Sequence, residues 1–74
     1  MRSIGDLFEA KRPAGVSKRA FAISLGIEPS VYYRWTKTPD IVPNLLDLFK
    51  YGKKVGITRS EILEVSEYIR SEKR

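Results

Sequence analysis

A chain with no histidine and no cysteine lacks the side chains that most often carry proton transfer, nucleophilic attack and transition-metal ligation. The groups that remain do not assemble into a reactive set. The acids are scattered along helix-forming stretches, and no two have the pattern of a paired acid and base. The serines have no neighbouring base to activate them. Gly52 and Gly56 are separated by two lysines and a valine, unlike a phosphate-cradling loop. The expectation is a protein that is not an enzyme, with no cofactor, no metal and no small-molecule ligand. One set does form a pattern. Ser30, Tyr33, Arg34 and Lys37 recur at i, i+3, i+4 and i+7, which places hydrogen-bonding and positive groups on one side of a helix with no acid among them. Such a stripe suits a polar, negatively charged partner.

The elements that must position this stripe are two short helices. In the first, Ser17 offers an N-cap oxygen to the free amides of a helix start. Val16 and Phe21 can close a hydrophobic staple over it, and Phe21, Ala22 and Leu25 form a buried stripe. Gly26 ends that helix, because a left-handed backbone costs glycine nothing. Pro29 suits the first position of the next helix and biases Glu28 towards the extended backbone of an N-cap. From there Val31, Tyr32 and Trp35 share the inward side, opposite Ser30, Tyr33, Arg34 and Lys37. Ser17 to Lys37 thus reads as helix, glycine turn, helix.

At these residues the chain resembles a known family. Leu25-Gly26-Ile27 followed by Ser30-Val31-Tyr32-Tyr33-Arg34-Trp35 is similar to the "LGVS-x-STISRW" segment of the phage Cro/repressor-like (XRE-type) helix-turn-helix family. Leu48, Tyr51-Gly52 and Val55-Gly56-Ile57 resemble that family's later "L-x-x-L-A-x-x-L-G-V" helix, so the similarity runs from about Ile4 to Leu63. It implies an all-α, compact five-helix, lambda-repressor-like domain over residues 1–74, with the helix-turn-helix at about 17–37. The implied partner is double-stranded operator DNA. The implied role is a phage or prophage transcriptional regulator that represses by operator occlusion in the bacterial cytoplasm.

Residue by residue, the resemblance puts Lys18 at the first position of the second helix, where a phosphate contact is common, with Arg19 beside it. Pro29 and Ser30 match the first two positions of the recognition helix, and Tyr33 and Arg34 the fifth and sixth, where base contacts concentrate. Arg34 has three open roles: a forked bond to guanine O6 and N7, a phosphate clamp, or a solvated charge. Thr36, Lys37 and Thr38 enter the loop that lies near the DNA backbone in this family. Three departures stand out. Pro29 leaves only apolar contact at its position. Glu28 sets an acid where serine is usual, repelling phosphate unless it accepts from cytosine N4. Tyr32 replaces an aliphatic core residue, so its hydroxyl needs a partner or the rim.

The whole chain agrees with this scale. Its 74 residues suffice for one small domain, whose core is marginal without tight packing or dimerisation. A net charge of +5 favours polyanions, although basic balance also serves solubility. No apolar run has the length of a membrane span, and the opening Met-Arg-Ser-Ile-Gly-Asp does not read as a signal peptide. A first helix is expected from Ile4 to Lys11, capped by Ser3, with Ile4, Leu7 and Phe8 inward and Lys11 and Arg12 near its end. A fourth is expected from Pro43 to about Val55, with Gly52 weakening it where the family has alanine. Thr58 and Glu61 form a capping box for the last helix, whose end at Glu72-Lys73-Arg74 is expected to fray. That helix turns Ile62, Val65 and Ile69 inward and leaves Leu63 and Tyr68 for a second subunit, in a weak homodimer formed mainly on DNA. The alternative reading is a protein-interaction module, an antirepressor or adaptor, on the same fold. RNA binding lacks the aromatic stacking surface that single strands require.

Overall fold

The computed structural model describes residues 3–72, the side chain of residue 72 excepted; the expectation of fraying at Lys73 and Arg74 lies outside what is described, and the Glu72 backbone is still helical. Five helices follow one another: α1 (Ile4–Glu9), α2 (Lys18–Leu25), α3 (Pro29–Lys37), α4 (Leu45–Lys53) and α5 (Arg59–Glu72). No strand occurs among the described residues, and the protein is all-α.

Local chemistry sets each helix start. Ser3 Oγ accepts from the Asp6 amide at 3.0 Å, and Ser17 Oγ from the Ala20 amide at 3.1 Å. The Thr58–Glu61 box closes both ways: the Thr58 amide donates to Glu61 Oε1 at 2.8 Å, and the Glu61 amide to Thr58 Oγ1 at 3.2 Å. Gly26, at φ 86°, turns the chain between α2 and α3. The Ile27 amide then returns to the Ala22 carbonyl at 2.9 Å, which satisfies one of the free carbonyls at the end of α2. A second carbonyl there, that of Leu25, accepts from Lys54 Nζ at 3.1 Å, which ties the end of α4 to the end of α2.

Three expected boundaries are corrected. The fourth helix does not begin at Pro43 but one residue past Asn44, whose Oδ1 accepts from the Leu46 and Asp47 amides at 3.0 and 3.2 Å. It stops short of Val55 because the Lys54 and Val55 amides bond three residues back, to Tyr51 and Gly52, in a tightened last turn. The first helix likewise ends at Glu9 and not Lys11, since the Lys11 and Arg12 amides reach back to Phe8 and Glu9. Arg12 therefore leaves the helix end and has other work. Its Nε and Nη2 donate to Glu9 Oε1 at 3.1 and 2.9 Å, and its Nη1 to the Val16 carbonyl at 2.6 Å.

The core joins all five helices. Ile4 and Phe8 from α1, Phe21, Ala22 and Leu25 from α2, and Tyr32 and Trp35 from α3 are buried, as are Leu48, Ile62, Val65 and Ile69. Trp35 sits among rings, with Phe8, Tyr32 and Tyr51 centroids at 5.6, 6.0 and 6.4 Å. Tyr32 is fully buried, and its hydroxyl finds the partner that burial demands: it donates to Glu9 Oε2 at 2.5 Å. Burial acts to raise the Glu9 carboxyl, but the bonds from Tyr32 and Arg12 and the charges of Arg12 and Lys18 prevail and hold it below the usual carboxylate range. Burial, reinforced by the same carboxylate, pushes the Tyr32 hydroxyl far above its ordinary value. One hydrogen-bonded cluster thus fixes α3 against the end of α1.

Candidate nucleic-acid interface

Because Tyr32 and Trp35 are anchored inward, the opposite side of α3 is forced outward. Ser30, Tyr33, Arg34 and Lys37 are all exposed, as their spacing requires. The side chains of Arg34 and Lys37 make no hydrogen bond or ion pair with another described residue. Both stand in the last turn of α3, where the helix dipole favours cations. Lys18 and Arg19 are exposed at the first two positions of α2. Ser17 takes the Ala20 amide there, which leaves the Lys18 and Arg19 amides open at a helix N-terminus. Pro29 is half-buried at the first position of α3, and Thr38 is the half-buried, extended C-cap.

Three polar groups are more committed than their spacing suggests. Ser30 Oγ donates to Glu28 Oε1 at 2.7 Å, so it faces outward only as an acceptor. Thr36 Oγ1 donates to the Tyr33 carbonyl at 2.8 Å within its own helix. Glu28 also accepts from the Ser30 amide at 3.2 Å. The Ser30 hydroxyl first, then the Ser30 amide, lower its carboxyl, with the Arg19 charge acting the same way. The N-terminus of α3 therefore already carries its own anion. What remains for a polyanion is the α2 start and the outward α3 side chains.

On α5, Leu63 and Tyr68 are 43 % and 45 % exposed, while Ile62, Val65 and Ile69 are buried. No group of three or more His, Cys, Asp or Glu that could hold a metal occurs among the described residues. No described helix is long and apolar enough to cross a membrane.

Two features escape the sequence pattern. Lys54, at the end of α4, serves a different helix through the Leu25 carbonyl. Lys50 and Lys53 share a side of α4 with Leu46 and Phe49, and with Ile57 and Arg59 they line a depression of about 470 Å³. The signal was present in the spacing of those four α4 residues, which equals that of the α3 stripe. No known protein family, curated protein or solved structure matches this chain.

Proposed function

We propose that this chain binds double-stranded DNA sequence-specifically, as a Cro/repressor-like transcriptional regulator that represses by occupying an operator. The observation that carries the reading is α3 itself. It follows a three-residue turn after α2, buries Tyr32 and Trp35, and holds Tyr33, Arg34 and Lys37 outward. A helix carried in this way fits a major groove about 12 Å wide. In the proposed complex the Arg34 guanidinium meets guanine O6 and N7, and Tyr33 lies beside it on the bases. Lys18 and Arg19, with the open α2 amides, and Lys37 and Thr38 take phosphates. A single helix reads too few base pairs to select one operator, so the working form is a two-fold pair on half-sites about 34 Å apart. Leu63 and Tyr68 supply the self-contact, and the bacterial cytoplasm is the proposed location.

The experiment is selection of bound duplexes from a random pool, followed by titration of wild type and Arg34→Ala against single-base variants of the selected site. Arg34→Ala is expected to lose discrimination at one base pair, at a cost of about 1–3 kcal/mol. Equal loss on every sequence moves Arg34 to the phosphates. If no sequence is enriched and affinity is flat with salt, the reading as a DNA-binding protein fails, because phosphate neutralisation must give a steep salt dependence.

A further inference from the structure

The DNA reading leaves a second cationic region unused. On α4, Leu46, Phe49, Lys50 and Lys53 fall on one side, and Ile57 and Arg59 close the opposite bank of the depression between them. Leu46 is 75 % exposed, more than any other large apolar side chain among the described residues. Arg59 is held over the floor, its guanidinium carbon 5.2 Å from the Phe49 ring centroid. The lining therefore alternates three cations with three apolar side chains and contains no acid.

That combination is poorly matched to a phosphate backbone, which rewards cations and amides but gives nothing to Leu46, Phe49 and Ile57. The apolar floor gains only when a partner excludes water from it, while the rim gains from carboxylates. The stripe from Leu46 to Lys53 advances about 10.5 Å, two helical turns. A partner helix laid along it can seat aliphatic side chains at i and i+4 and carry acids on both flanks. We propose that this depression docks an acidic amphipathic helix from another protein. Its aliphatic side chains cover Leu46, Phe49 and Ile57, and its carboxylates meet Lys50, Lys53 and Arg59. The lining shares no residue with the outward side of α3, so in this proposal a DNA-bound regulator holds such a partner at the same time.

The test uses a short amidated helical peptide with leucines at i and i+4 flanked by glutamates, added to the full chain. Controls replace the leucines with alanine or the glutamates with lysine. The expected result is saturable binding at about 10–100 μM, with amide chemical-shift changes confined to residues 46–59. Both control peptides, and both Leu46→Gln and Lys53→Glu, should weaken binding by about tenfold or more. Thermal melting of the variants verifies that these exposed substitutions leave the fold intact. The proposal is overturned if the peptide does not bind, if its lysine version binds equally, or if the shifts map to α2 and α3. It is also overturned if duplex DNA displaces the peptide from these residues, or if Leu46→Gln alters self-association in sedimentation and not peptide binding. Failure of the DNA reading is scored separately, by duplex selection and Arg34→Ala, neither of which touches this depression.

Discussion

α3 and α4 carry outward stripes at the same spacing, Ser30, Tyr33, Arg34 and Lys37 on one, Leu46, Phe49, Lys50 and Lys53 on the other. What lies behind each stripe differs. Behind the α3 stripe are Tyr32 and Trp35, two large rings packed on α1, α2 and α4. Behind the α4 stripe are Leu48 and Gly52, and Gly52 lets Ile57 and Ile62 come in close. Bulk beneath a helix holds it out as a ridge, whereas a small residue draws the neighbouring segment in and leaves a depression at its edge. The same periodicity thus serves a projecting polar edge in one place and an apolar-floored recess in the other.

The ridge depends most on its largest buried ring. Trp35→Ala should destabilise the fold by about 3–5 kcal/mol, a large share of what so small a domain possesses. Thermal melting followed by helicity measures it. Native helicity and an unchanged melting temperature would show that Trp35 does not support the ridge. The second lever is Gly5, buried on α1 where a Cβ would run into the Trp35 carbonyl and the Thr36 Cα. Those are backbone atoms with no room to rotate away, so α1 and α3 must separate to admit a methyl group. Gly5→Ala is expected to cost about 1–3 kcal/mol, read from denaturant midpoints. A neutral result would mean that the crossing is not set by backbone contact.

What could be read in advance divides along the same physical line. The Ser17 cap, the Gly26 turn, the Pro29 start and the Thr58–Glu61 box are contacts within a few residues, and residue types alone expose them. So is the inward side of α3, since Tyr32 and Trp35 follow from periodicity. The Asn44 cap is local too, but Pro43 beside it offers a competing start. The remaining features are long-range. Tyr32 and Glu9 are 23 residues apart, Lys54 and Leu25 are 29 apart, and neither partner is implied by spacing. Gly5 looks like any glycine until α3 lies across it. The outward α3 residues were legible as a stripe, but the engagement of the Ser30 and Thr36 hydroxyls was not, because it depends on rotamers.

A smaller effect separates polar from apolar support of the ridge. Glu9 is held below the usual carboxylate range, so its ionised form stabilises the folded state. That contribution is complete above the unfolded value, about 4.3, and is lost as pH falls through the lower folded value. Tyr32→Phe removes one of the bonds responsible and should cost about 1 kcal/mol at neutral pH. Its loss of stability on acidification below about pH 4.3 should be shallower than that of wild type, as melting across pH 2–7 would record. Parallel acid limbs would show that Arg12 alone holds the carboxylate down.

The smallest expected effect belongs to α4 and is the sharpest test of the difference between the helices. A Cβ on Gly52 would lie 3.1 Å from Ile62 Cδ1, 3.3 Å from Ile57 Cβ and 3.4 Å from the Ile57 carbonyl oxygen. The tightest of these contacts is the far end of a side chain, which can turn aside, unlike the backbone facing Gly5. Against that crowding, alanine gains about 1 kcal/mol over glycine in a helix interior. The two terms nearly cancel, so Gly52→Ala should change stability by less than about 1 kcal/mol in either direction. Ile62→Val removes the crowding methyl, and in that background the same substitution should become more favourable, so the two must couple in a double-mutant cycle. If Gly52→Ala is as damaging as Gly5→Ala and shows no coupling to Ile62, then α4 is set by rigid backbone contact as α3 is. The depression beside it would then owe nothing to a yielding side chain.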